Sequence, residues 1–160
     1  SWSQIQSFGL AFLIISLIMF GIFGSVKLGL VAILPNTFPM LTVFGLMGWL
    51  DFNLDITTLM TAPIIIGIAV DDTIHFITHY RLSLLKGASI SEAIHSTLHE
   101  VGQAIIITTL ILMSIFLFFI PVSHVGVSRF SILAVIAVFS ALLADLFLLP
   151  ALCRVLRVRV

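Results

Sequence analysis

The stretch IGIAVDDTIHFITHY, residues 66–80, sets two adjacent carboxylates inside an otherwise apolar run. His75 follows Asp71 by four residues and Asp72 by three, and His79 follows His75 by four. On a helix such offsets put the four ionisable groups along one side. Withdrawal from water disfavours the charged form of both residue types. The chemistry this pattern suits is reversible proton binding, with Asp71, Asp72 and His75 as a relay. His79 and four further residues are candidate partners of that relay: Thr108, Thr109, Ser114 and Asp145. A hydroxyl can hydrogen-bond a carboxyl group in either protonation state, which suits a site that cycles. For Asp145, five residues before Pro150, a packing or capping role is the stronger expectation.

Other chemistries fit these residues less well. His75 and His79 form an H-x-x-x-H pair, but five scattered histidines without an adjacent pair are too few for a di-iron desaturase. The D-D-x-x-H order lacks the third acid of a D-D-x-x-D magnesium site. Intramembrane aspartyl proteolysis needs acids on two facing helices, whereas Asp71 and Asp72 are neighbours on one. The chain therefore reads as a non-enzyme with no metal and no cofactor. The competing view of the acid pair, as satisfied groups gluing helices together, is weakened by the two aligned histidines, since ionisable groups inside a membrane are functional by default.

The elements that position these residues follow from composition. The chain is 61% hydrophobic and 9% charged, with a mean hydropathy of +1.30, whereas about a quarter of the residues of a soluble domain are charged. This is a membrane protein. Zero net charge argues against a broad basic surface for nucleic acid. The lone Cys153 cannot form an internal disulfide. A bilayer-crossing helix needs about 20 apolar residues, and five stretches supply them: roughly 5–24, 28–50, 57–80, 103–121 and 130–150. The expected fold is all-α, a polytopic bundle of five transmembrane helices. Residues 8–24 have no basic segment before them and no cleavage-type site after them, so they read as a span rather than a signal peptide.

Basic residues set the orientation. Lys27, Arg81, Lys86, Arg154, Arg157 and Arg159 fall on one side, and Arg129 falls on the other with Asp51 and Asp55. By the positive-inside rule the N-terminus faces outward, while the 81–102 linker and the C-terminus face the cytoplasm. Within that linker Ser89 and Glu92 stand at capping-box spacing. Ile94, Leu98 and Val101 follow at helical spacing, which predicts one short interfacial amphipathic helix. Pro35, Asn36 and Pro39 predict a kinked second span, and Gly45 and Gly48 offer close helix contact there. The absence of an initiator Met predicts that 1–160, a single transmembrane domain, is a piece of a longer protein.

The motif GIAVDDTIHF at 67–76, with EAI at 92–94, EVGQAI at 100–105 and ADLFLLPAL at 144–152, resembles the resistance-nodulation-division (RND) superfamily. The likeness is to its lipid-exporter, MMPL-like branch, and the same five-helix unit occurs in sterol-sensing domains and Patched-like proteins. The resemblance implies the last five helices of one transporter half, the C-terminal half by the DLFLLP ending, in a bacterial inner membrane. It implies proton-driven export of hydrophobic or amphiphilic molecules, with Asp71 and Asp72 as the proton-relay acids and Thr108 or Thr109 as their polar partner. The implied partners are the other membrane half, an extracytoplasmic porter domain, membrane lipids, a lipid-like substrate and protons. No lysine lies within a span, so the charge-pairing scheme of the drug-efflux branch is not expected. The alternative function is a sterol- or lipid-sensing module that binds lipid without proton coupling.

Overall fold

The computed structural model describes residues 2–50 and 56–157; Asp51, Asp55 and Arg159, which enter the charge count above, lie outside them. Every element among the described residues is helical: α1 (Trp2–Phe23), α2 (Val26–Trp49), α3 (Ile56–Leu85), α4 (Ile90–Phe119) and α5 (Val125–Leu143). The fifth rod continues through a π-helical turn (Ala144–Leu148) into α6 (Leu149–Val155). Away from water each backbone N–H must find its carbonyl within its own segment, which favours unbroken helices. Three rods are long and apolar enough to cross a bilayer: Val26–Trp49, Ile90–Phe119 and Val125–Val155. A shorter apolar helix, Gly9–Phe23, belongs to α1.

The turns are built from specific residues. Gly24 adopts a left-handed φ of +58° and its N–H donates to the Phe20 carbonyl at 3.0 Å, the arrangement that ends a helix at glycine. Arg81, from α3, donates through Nη1 to the Phe23 carbonyl at 3.2 Å. A cation there meets the negative end of the α1 dipole. Gly87, with φ +92°, turns the chain between α3 and α4. The expected capping box then forms: Glu92 N–H donates to Ser89 Oγ at 3.3 Å, and Ser89 N–H to Glu92 Oε2 at 2.8 Å.

Three expectations are corrected. No separate interfacial helix exists between α3 and the fourth span; residues 90–101 are the first turns of α4 itself, and the linker shrinks to residues 86–89. Gly102, the last residue of the expected linker, is buried and helical, with its missing Cβ position 3.4 Å from the Leu146 side chain. Gly45 and Gly48 face open space; the tight approach is made instead by Gly29, whose Cβ position is occupied by the Phe20 ring. The described part of α3 reaches Leu85, well past the expected span end. Through Pro35 and Pro39 α2 remains one helix, and the buried Asn36 donates from Nδ2 to the Ala32 carbonyl at 2.8 Å.

The fifth rod is the hub, in contact with α2, α3 and α4. Its buried Ala134, Ala137, Ala141 and Ala144 let neighbouring backbones come close. One core cluster joins Met19, Phe23, Phe76, Tyr80 and Leu149 around the Arg81 end, and a second joins Val43, Met47, Ile65 and Leu133. Large apolar side chains also cover the outside, among them Leu13, Leu17, Ile107, Leu110 and Phe118. So broad an exposed apolar surface is foreign to a soluble monomer and matches a lipid environment.

Candidate functional site

Consecutive residues on a helix point about 100° apart, and residues 71–73 of α3 use this to sweep from outside to core. Asp71 is on the outer face. Its side chain is 74% exposed and its Oδ1 lies 3.7 Å from His75 Nε2, whose side chain is 71% exposed. Asp71 thus faces away from the core of this chain: the core side of α3 is taken by Ala69, Thr73, Phe76 and Tyr80. Asp72 is half-buried. Both acids line an open groove between α3 and α4 of about 710 Å³, together with Gly67, Ile68, Thr108 and Ile111.

Of the predicted partners, Thr108 is brought to this groove. Its hydroxyl donates to the carbonyls of Ala104 at 3.1 Å and Ile105 at 3.0 Å, which leaves the oxygen free to accept. Thr109 is buried and is not among the groove's lining residues. Ser114 is exposed, donates to the Leu110 carbonyl at 2.7 Å and stands apart from the acids.

His79 is turned toward α4 rather than toward the acids. Its Nδ1 is 3.1 Å from Thr97 Oγ1 and its Nε2 is 3.0 Å from Glu100 Oε2. The Thr97 hydroxyl also donates to the Ala93 carbonyl at 2.7 Å. Together with the Ser83–Ser96 contact at 3.3 Å, these bonds clamp α3 to the first turns of α4. In this clamp Glu92 caps the start of α4, and its hydrogen bonds with Ser89 hold its carboxyl below the usual range.

The most enclosed polar contact was not anticipated. Thr73 Oγ1 donates to Asp145 Oδ1 at 2.8 Å, bridging α3 to the π-turn of the fifth rod. Both side chains are buried, and Asp145 Oδ2 has no partner. Sequence reasoning passed over Thr73. A polar residue in register with the apolar Ala69, Phe76 and Tyr80 has to find a buried partner, and that signal was available. Among the described residues no cluster of three or more His, Cys, Asp or Glu is placed to hold a metal ion. At the other end of the bundle an apolar cavity of about 370 Å³ is lined by Met60, Ile64, Phe116, Phe119 and Phe130. Phe116 and Phe130 meet edge to face with centroids 5.8 Å apart.

Apolar rods of bilayer length and an apolar exterior define a polytopic integral membrane protein. Residues 21–157 match the sterol-sensing family, described as the sterol-sensing domain of SREBP cleavage-activation, and the chain belongs to that family. Its relatives include RND-type membrane transporters. It is 30% identical over 102 residues to the hopanoid transporter HpnN of Burkholderia multivorans, covering 64% of this chain and 12% of that protein. It is 25% identical over 150 residues to the solvent-resistant pump membrane transporter SrpB of Pseudomonas putida, covering 89% of this chain and 14% of the pump. The chain thus spans only a small fraction of the relatives it matches. The crystal structure of SecDF, a translocon-associated membrane protein from Thermus thermophilus, superposes with a TM-score of 0.89 at 21% identity, covering 99% of this chain and 22% of that one. The two share a fold.

Proposed function

We propose that the chain is the membrane domain of a proton-driven RND-type exporter of hydrophobic or amphiphilic, lipid-like molecules, with Asp71, Asp72 and His75 as its proton relay. The observation that carries this reading is the groove between α3 and α4, where two carboxylates share a wall with Thr108 and no lysine or arginine lines it. In this reading all five rods cross the bilayer, with the N-terminus outside and the α3–α4 turn and the C-terminus in the cytoplasm. Lys27, Arg81, Lys86, Arg154 and Arg157 then mark the cytoplasmic end.

A proton arriving from outside neutralises one acid and removes a charge that the bilayer disfavours. α3 then settles differently against α4, and release past His75 toward the His79 end resets the site. The two protonation states differ in stability, and that difference couples the ion to conformation. Each proton crossing the membrane supplies about 2.3 kcal/mol per 100 mV. The outward Asp71–His75 face requires a cover in lipid. The remainder of a larger transporter supplies it: the other membrane half, with an extracytoplasmic porter domain choosing the cargo. Relatives named as a hopanoid transporter and a solvent-resistant pump are in keeping with a lipid-like substrate. Collapsing the proton gradient with a protonophore in vesicles holding the whole transporter should stop substrate accumulation; accumulation that continues refutes the reading.

A second reading, a lipid-sensing module without proton coupling, is favoured by the apolar cavity at Phe116 and Phe130. It predicts lipid crosslinking at that cavity that is indifferent to the gradient and to Asp71→Asn or Asp72→Asn.

A further inference from the structure

Asp145 is the single buried carboxylate among the described residues, 1% exposed. It receives a hydrogen bond from Thr73, and neither the His75–Asp71 nor the His79–Glu100 pair includes it. An ionised carboxylate accepts several hydrogen bonds, and a protonated one must also donate. Oδ2 does neither. A buried charge with so little compensation costs several kcal/mol, so the oxygen is left open for something that comes and goes.

The backbone beneath it is also exceptional. Asp145 is the second residue of the π-turn, where Leu149 N–H donates five residues back to the Ala144 carbonyl. Single π-turns within α-helices occur mostly at functional sites. On α3 the residue before Thr73 is Asp72, half-buried at the groove, so the Thr73–Asp145 bond joins the rod that carries Asp72 to the hub. Lys27 of α2, Glu100 of α4 and Arg154 of α6 are exposed. Two carboxylates that feel one another titrate as a pair, since charge on one favours a proton on the other.

We propose that Asp145 is a second proton-carrying carboxylate, held by Thr73 and exchanging its proton with Asp72 through the core of the bundle. This deepens the relay reading and rests on it. The relay then has two carboxylates on different rods: Asp72 at the groove and Asp145 on the hub. A proton passing between them changes the bonding between α3 and the fifth rod directly. Thr73 is a positioning residue. It donates to Oδ1 and leaves Oδ2 as the exchanging atom.

The test uses the full-length transporter in lipid, with infrared carbonyl bands of protonated carboxyl groups followed across pH beside gradient-driven transport. Asp145→Asn should remove one titrating band and abolish gradient-driven accumulation. Thr73→Val keeps the carboxyl but should move the midpoint of the transport pH profile by about one unit, the size expected for one hydrogen bond to a charged group. Thr73→Ser should restore the profile. An Asp145→Asn protein that keeps every titrating band overturns the proposal, as does a Thr73→Val profile that coincides with wild type. Asp72→Asn separates the two claims: pumping retained in that variant sinks the relay reading, while the band assigned to Asp145 still reports its proton.

Discussion

Replacing Thr73 by Val removes one hydroxyl and nearly preserves the side-chain shape, so a cycle with Asp145→Leu isolates their hydrogen bond. Interhelical hydrogen bonds in membrane proteins contribute about 0.6 kcal/mol on average and at most about 1.7. Bonds to charged acceptors run to about 1.5–3 kcal/mol. Here the two partners are 0% and 1% exposed and 2.8 Å apart, and the acceptor is a carboxyl oxygen with no other partner. The coupling energy should therefore fall near the top of the membrane range, about 1.5 kcal/mol. It would be read from the unfolding free energies of wild type, both single variants and the double variant in lipid-detergent mixtures. Subtracting the two single effects from the double effect cancels the loss of packing that each change brings by itself. A coupling below about 0.3 kcal/mol, within the spread expected of independent sites, would refute the claim that this bond ties α3 to the hub rod.

Three further predictions concern the frame around the site. Gly29→Ala drives a methyl into the Phe20 ring and should destabilise by about 1–3 kcal/mol, as overpacking does, whereas Gly45→Ala, with open space around it, should be neutral or stabilising in the same unfolding assay; equal effects would contradict the packing described. Ser89→Ala should cost about 1 kcal/mol through loss of the α4 cap, measured as faster amide exchange in its first turns. Because hydrogen bonds with Ser89 depress the Glu92 carboxyl, its contribution is present above the unfolded-state value. It should disappear as pH falls through the lower folded-state value, and a cap whose amide protection shows no acid limb contradicts this.

The helices were readable because apolar runs of bilayer length have no other stable form in lipid. The capping box was readable because Ser89 and Glu92 satisfy each other locally, without help from the rest of the chain. The merging of residues 90–101 into α4 was not. Gly102 ended the expected linker, and only its burial against Leu146 reveals a packed helical glycine. The same limit governs the site. Spacing alone placed Asp71, Asp72, His75 and His79 along α3, but which of residues 71–73 faces the core depends on where the hub rod lies. That tertiary fact turned Asp71 outward, joined the overlooked Thr73 to Asp145, and sent His79 to Thr97 and Glu100. Asp145 was expected to pack or cap; it is buried, and its open oxygen asks for more than packing. Thr108 reached the groove because it lies on the face of α4 that meets α3, whereas Ser114 lies on another face.

The central claim is that a proton on the Asp71–Asp72 pair drives conformational change. Its most direct test compares two modes of transport by the whole transporter in vesicles, in wild type and in Asp72→Asn. Exchange of substrate at equal concentrations across the membrane needs no proton, whereas accumulation under an imposed pH gradient does. The account predicts that Asp72→Asn keeps exchange and loses accumulation. Accumulation at the wild-type level in that variant would contradict it.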